Sequence, residues 1–309
     1  MRIYIYALCA ICVTACVTNT GPIADSGQIN DDTEWLQSLL NTRERDVIIP
    51  AGERPWYTGP LFVTGNDRRI EFEAGCTIKA LPGSFQGLND CLLTVIDADN
   101  LIISGFDATL YMPRSDYQRK PYERGEWRHS VAIFRSQNIT VEGLRIEGSG
   151  GDGVYVGQRR EEPVCENITL RHLQLIDHHR QGVSVIAVKG FLMEYCYVSG
   201  TKGTPPAAAI DFEPNSGLYG ITGAVIRDCV FERNAGPGIL VYLIKLNPDH
   251  PPVDILIERT TSRRNLSGTA IYSIPKGVRG HIEFRDCDIR GIRWIWTPKS
   301  FTVRFLKSS

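Results

Sequence analysis

The sequence predicts an all-β chain wound as a solenoid of parallel β coils and opened by one short helix. The first observation behind this is repetition. EFEAGCTI (71–78), IISGFDATL (102–110), TVEGLRI (140–146), TLRHLQL (169–175), LMEYCYV (192–198), VIRDCVF (225–231), LIERTTS (256–262) and IEFRDCDI (282–289) superimpose without internal gaps and recur every 23 to 38 residues. One column reads Cys76, Phe106, Leu144, Leu173, Cys196, Cys229, Thr260, Cys287, and two residues on a second reads Ile78, Ala108, Ile146, Leu175, Val198, Phe231, Ser262, Ile289. Short strands at such a period, with no helix between them, are what a stack of parallel coils requires. The second observation is another strand after most copies: SVAIF (130–134), GVYVG (153–157), GVSVI (182–186), AIDFE (209–213), GILVY (238–242) and AIYSI (270–274). Alternation turns Val154, Val183, Ile210, Ile239 and Ile271 inward and Ala132, Tyr155, Ser184, Asp211, Leu240 and Tyr272 outward.

Residues 1–15 carry Arg2 and then an uncharged apolar run too short to span a bilayer, as an export signal does. Residues 16–28 are small and polar and read as a tether, leaving 29–309 as the solenoid domain. Asp31, Asp32 and Thr33 precede Trp35, Leu36, Leu39 and Leu40, spaced for one helical face, with Asp or Thr as the N-cap. An Asn opens several copies, at Asn100, Asn138 and Asn167, where stacked amides can ladder along a turn. Cys196 and Cys229 fall on successive coils in one inward column, and we expect buried thiols there rather than a disulfide. After Ile289 no amphipathic helix closes the far end, so we expect either an irregular segment over that edge or a longer parent chain.

Two resemblances follow from these residues. Val13, Thr14, Ala15 and Cys16 resemble the bacterial lipobox, which implies cleavage before a lipidated Cys16 and an exported protein held at a bacterial outer membrane or cell surface, or otherwise periplasmic or secreted. The DDTEWLQSLL helix, then VIIPAG (47–52), then IEFEAGCTIKA (70–80), is similar to the N-terminal part of the pectin lyase-like superfamily. That resemblance covers roughly residues 28 to 290 and implies a single-stranded right-handed parallel β-helix with a capping helix. The superfamily includes polygalacturonases, pectate lyases, other hydrolases and lyases, epimerases and tailspikes, so fold alone chooses no reaction. The polygalacturonase tripeptides NTD, GHG and RIK and its paired aspartates do not occur here. Asp177-His178 resembles part of a pectate lyase calcium motif, without the tryptophan that precedes it there.

Composition removes some functions. A net charge of −1, with no basic run interleaved with aromatics, gives no field to gather nucleic acid, and none is expected as a partner. The membrane is expected to be met only through the lipid, and oligomeric state is left open.

AAAIDFEPNS sets Asp211 and Glu213 on one outward face of a strand, against the usual depletion of Asp in strands. In the repeat register Arg128-His129 falls beside Gly151-Asp152, then Arg180-Gln181, then Ala207-Ala208. His129, Asp152, Arg180, Asp211 and Glu213 therefore gather in one patch. Asp152 and Asp211, two coils apart, are expected ~10 Å apart at the backbone, near the carboxylate spacing of an inverting glycosidase. Solvated acids on a wet face are the plain alternative. Asp211 is read as general acid, held protonated by Glu213, and Asp152 or Glu213 as base. His129, Arg180, Arg128, His178, Tyr155 and Trp127 are candidate substrate-binding residues, the arginines either clamping an anionic sugar or pairing with the acids. In the long segment Tyr111 to His129, Tyr117, Tyr122 and Trp127 either stack on sugars or pin the loop, and Arg119 and Lys120 can hold anionic groups. No metal site is expected, since the His178-His179 doublet has no third ligand at useful spacing.

The expected function is hydrolysis of an acidic or sulfated polysaccharide. The alternatives are a lyase acting on a uronate by β-elimination, with calcium as the only cofactor then implied, and a non-catalytic glycan-binding solenoid.

Overall fold

The computed structural model describes residues 29–158, 162–215, 218–294 and 296–308. The expected signal, lipidated Cys16 and tether lie outside the described residues. Among the described residues the chain forms one α-helix, Thr33–Leu40, and one 3-10 turn, Asp116–Gln118, and winds through three parallel sheet faces. The first face stacks Val131–Phe134, Val154–Gly157, Val183–Val185, Ile210–Phe212, Pro237–Tyr242 and Ser267–Tyr272. The second stacks Gln137–Glu142, Cys165–Arg171, Val188–Glu194, Ile221–Arg227, Val253–Glu258, Gly280–Arg285 and Phe301–Leu306. The third holds nine strands, from Trp56–Thr58 to Asp288–Ile289. The two longer strands Leu61–Phe72 and Leu93–Ser104 run through the first and second faces together.

Each repeat segment of the sequence is thus two strands, bent at a residue with left-handed backbone. Gly143, His172, Tyr195, Asp228, Arg259 and Asp286 occupy that bend on successive coils with φ between 45° and 75°. At Gly143 the Phe106 ring lies within 2.8 Å of where a Cβ would stand, so glycine answers both the φ and the close approach. The expected asparagine turn is present: Asn100, Asn138 and Asn167 all have φ near 54°. Asn167 Nδ2 donates to Asn138 Oδ1 at 2.9 Å, and Asn138 then donates to Asp99 rather than to Asn100.

The core is one continuous stack. Val131, Val154, Val183, Ile210 and Ile239 are fully buried in register, as are Ile133, Val156, Val185, Phe212, Val241 and Ile271 below them. Each such side chain contributes about 1.5–3 kcal/mol relative to exposure. Leu36, Leu39 and Leu40 of the helix join this cluster beside Val47, Ile49 and Trp56. Cys196 and Cys229 are buried free thiols within it.

Three expectations are corrected. Ala108, not Phe106, shares the column of Leu144, because Thr77 pairs Thr109, which pairs Arg145. Phe106 is 57% exposed, and two extra turn residues in that coil account for the slip. Likewise Thr269 aligns with Ile239, and Ala270 with Leu240, so Tyr272 pairs Tyr242 instead of continuing the Asp211 column. The helix N-cap position is Asp32, but its carboxylate does not cap. It accepts both Arg54 Nη groups at 2.7 Å and the Tyr57 N–H, while Asp31 accepts the Thr33 N–H. At the far end Phe301–Leu306 adds a further second-face strand beside Gly280–Arg285.

Candidate active site

The corner leading from the third face into the first positions the acids. Ser130 N donates to Asp152 O, Gly153 N to Gln181 O and Gly182 N to Ala208 O, each at 3.0 Å. His129, Asp152, Gln181 and Ala208 are therefore stacked on four consecutive coils, as the repeat register implied. Asp211 lies one residue into its strand, between Ser184 and Leu240 on the neighbouring coils, and Glu213 follows the strand end. Asp152 precedes Val154 by two residues whereas Asp211 follows Ile210 by one. The expected ~10 Å between their backbones therefore counts only the rise along the solenoid.

Arg180 joins the patch. Its Nη1 lies 3.4 Å from Asp152 Oδ2, its Nη2 3.3 Å from Glu213 Oε2, and its Nε 3.8 Å from Glu126 Oε1. Gln181 ties the two aspartates together: its backbone N–H donates to Asp152 Oδ1 at 3.0 Å and its Nε2 to Asp211 Oδ2 at 3.2 Å. Its own Oε1 accepts the Ala208 N–H at 2.6 Å, which fixes the amide. Asp152 and Asp211 are 0% exposed, whereas the side chains of Arg180, Glu213 and Glu126 are 14%, 23% and 27% exposed. The two aspartates lie beneath a rim made by the other three; of the expected outward patch His129, Asp152, Arg180, Asp211 and Glu213, the structure buries His129, Asp152 and Asp211.

Burial sets the protonation. It pushes Asp152 up to about 6, against the opposing pull of Arg180 and of hydrogen bonds from Ser184 and Gln181. Asp211 is raised well above the ordinary carboxyl range by burial first and then by the charge of Glu213, with which it shares a side-chain hydrogen bond. Its Oδ1 has no hydrogen-bond partner among the described residues. Burial and then the neighbouring Arg180 charge bring His129 down to about 3, so the ring is neutral. Its Nδ1 accepts the Asp152 N–H at 3.0 Å, which leaves the proton on Nε2.

The remaining candidates divide. Tyr155 stacks on His129 with ring centroids 4.5 Å apart, and both line a groove of about 420 Å³ together with Phe62, Phe134 and the exposed Trp127. Arg128 is elsewhere than expected. It is fully buried, donates to Phe85 O and Gln86 O, and lies over the rings of Tyr117 and Tyr122, so it touches neither acid nor surface. Tyr117 and Tyr122 are buried and pin the loop, and Arg119 pairs with Asp116. His178 is also fully buried, its Nδ1 2.8 Å from Ser149 Oγ, and does not reach the surface; His179 contacts Thr204. Two participants were not singled out from sequence. Gln181 shares the register column of Asp152, and that column was the available signal. Glu126 stands in an irregular loop where no period marks it.

Residues 124–248, which include Glu126, His129, Asp152, Arg180, Gln181, Asp211 and Glu213, match the family model for a right handed beta helix region. The chain is a right-handed parallel β-helix. Over 162 residues, half of its length, this β-helix is 25% identical to the uncharacterized protein YclG of Bacillus subtilis, and the match spans 27% of that protein. Among solved structures it is similar to a polygalacturonase from Erwinia carotovora, with 14% identity, 91% of this chain and 94% of that chain covered, and a TM-score of 0.47. An alginate lyase from Paenibacillus has 13% identity, 90% and 98% coverage, and a TM-score of 0.46.

Proposed function

We propose that this β-helix hydrolyses a glycan at the Arg180 cluster, with the Asp211–Glu213 pair as general acid and Asp152 as the base that activates water. The observation that carries this reading is the Arg180 guanidinium set between Asp152 and Glu213, with Asp211 wholly buried beside them. Burial and then the charge of Glu213 favour the protonated form of Asp211, and the pair gives that proton to the leaving oxygen through Glu213, its exposed member. Asp152 is ionised above about pH 6 and can take a proton from water. Bridged by one guanidinium, Asp152 Oδ2 and Glu213 Oε2 lie no more than ~9 Å apart, a bound that admits both the inverting and the retaining carboxylate spacing. The resemblance of Val13–Cys16 to a lipobox supports an exported, lipid-anchored enzyme that meets a polymer outside the cell.

Two of the groups an elimination could use as its base are less suited to it. Arg180 is raised by its acidic neighbours despite burial and stays protonated, and His129 Nδ1 is occupied by the Asp152 N–H. The deciding experiment incubates wild type, Asp211→Asn and Asp152→Asn with a polysaccharide panel. It follows reducing ends and the ultraviolet absorbance of unsaturated sugars. New reducing ends without absorbance, lost in both variants, are expected; full activity in both variants rejects the assignment, and absorbance favours the lyase. Glycan binding without turnover in wild type leaves a binding solenoid.

A further inference from the structure

The groove beside the Arg180 cluster has a chemistry that the substrate expectation did not include. It is bounded by Phe62 and Trp127, which are 50% and 43% exposed, with Phe134 and the His129–Tyr155 stack between them. Flat apolar faces of this kind cover the C–H side of a pyranose ring, while a few fixed polar groups take its hydroxyls. Here those groups are Asn89 and the carboxylate of Asp90, which is oriented by the Gly87 N–H at 2.7 Å.

The charges point one way. The ionisable side chains on the wall are Asp90, His129, Cys91 and Tyr155. The ring of His129 is neutral, and burial pushes the Cys91 thiol up to about 12, so Asp90 is the charged one. Among the described residues no lysine or arginine lines the groove. The two arginines expected to clamp an anion are both engaged: Arg180 by Asp152, Glu213 and Glu126, and Arg128 beneath Tyr117 and Tyr122. A uronate or sulfate here would meet Asp90 and the acidic rim with no lysine or arginine among the described lining residues to offset its desolvation.

We infer that the groove receives an uncharged sugar ring, so that the glycan processed here is neutral at this position rather than acidic or sulfated. The groove's preference stands on its own lining; that the same ring belongs to the cleaved glycan rests on the hydrolase reading.

The test is titration of the purified protein at low salt, followed by calorimetry and tryptophan fluorescence. The probes are hexasaccharides of β-1,4-linked glucose, xylose, galactose and mannose, against hexagalacturonate and hexamannuronate. At least one neutral hexamer is expected to bind tenfold or more tightly than either anionic one. Trp127→Ala, whose melting temperature should match wild type, weakens that binding at least tenfold. Thr94→Lys, which adds a cation to the wall, raises affinity for the anionic hexamers. An anionic hexamer bound as tightly as the best neutral one, no hexamer bound at all, or no effect of Trp127→Ala overturns the inference. Asp211→Asn should bind the neutral hexamer as wild type does. If wild type binds that hexamer in the groove and never cuts it, the hydrolase reading fails while the groove's preference stands.

Discussion

Along the corner between the second and third faces, three arginines each reach back one coil to an acid. Arg171 meets Glu142 at 2.6 Å, Arg227 meets Glu194 at 2.6 Å, and Arg259 meets Asp228 at 2.9 Å, with each of these arginines about 40–50% exposed. At the corner leading into the first face, a single arginine stands among Asp152, Glu213 and Glu126, with Asp211 beneath. The first arrangement matches charge for charge at the surface, where such pairs contribute about 0–1 kcal/mol each. The second leaves carboxyl groups in excess and two of them wholly buried, so protons make up the difference. An acid that holds a proton at neutral pH is an expense in a merely structural array and a reagent in a catalytic one.

The comparison can be broken most sharply by Asp211→Asn. Turnover on whichever glycan the wild type cleaves should fall by about 10²–10⁴, with an unchanged circular dichroism spectrum. Glu142→Gln at the other corner should leave turnover at the wild-type level. Next in size, Arg180→Ala strands the Asp152 charge in the interior and should lower unfolding free energy by about 3–5 kcal/mol near pH 8. The loss should shrink near pH 5, where Asp152 takes a proton. Equal urea midpoints for Arg180→Ala and Arg227→Ala would show that burial does not distinguish the two corners.

The third test is pH. Asp152 has a folded pKa of about 6 against an ordinary 3.8, so the folded state binds its proton more tightly than the unfolded state. Its contribution, about 3 kcal/mol, is fully present below pH ~4 and lost as pH rises through about 6. Asp211 is raised in the same direction, by burial first and then by the charge of Glu213. Asp152→Asn should therefore flatten urea midpoints measured between pH ~4 and ~7, and a slope unchanged from wild type would refute the assignment. Turnover should rise through the same interval as Asp152 ionises, and fall at higher pH as the Asp211–Glu213 pair loses its proton. The smallest effect is expected at the asparagine turn. Asn167→Ala gives up the bond to Asn138 and strains a φ of 54°, costing about 1–2 kcal/mol, while Asn167→Gly restores most of it.

Much of the solenoid was legible because its coils repeat in both strand length and apolar alternation. The slips at Phe106 and Tyr272 were each of two residues, and a shift of two in a strand keeps every side chain on the same face, so alternation could not expose them. The cluster itself was legible where regular strands set the register: Asp152, Arg180, Asp211 and Glu213 meet because Val154, Val183 and Ile210 align. Arg128 was not, since its place is decided by Phe85, Tyr117 and Tyr122, which reach it from loops without any period. Glu126 escaped for the same reason. Nor could the sequence give the depth of the site, because the burial of Asp152 and Asp211 depends on Arg180 closing over them from the coil between.

The cluster draws Asp152, Arg180 and the Asp211–Glu213 pair from three consecutive coils. A solenoid can lengthen by duplicating a repeat, and one copied beyond Val253 would extend the stack without disturbing these groups. Inserted between Asp152 and Asp211, the same copy would move the pair one rise, ~4.8 Å, away from its partner. The molecule is therefore free to grow at its far end and fixed in number at its middle, and no single repeat could carry the site into another protein.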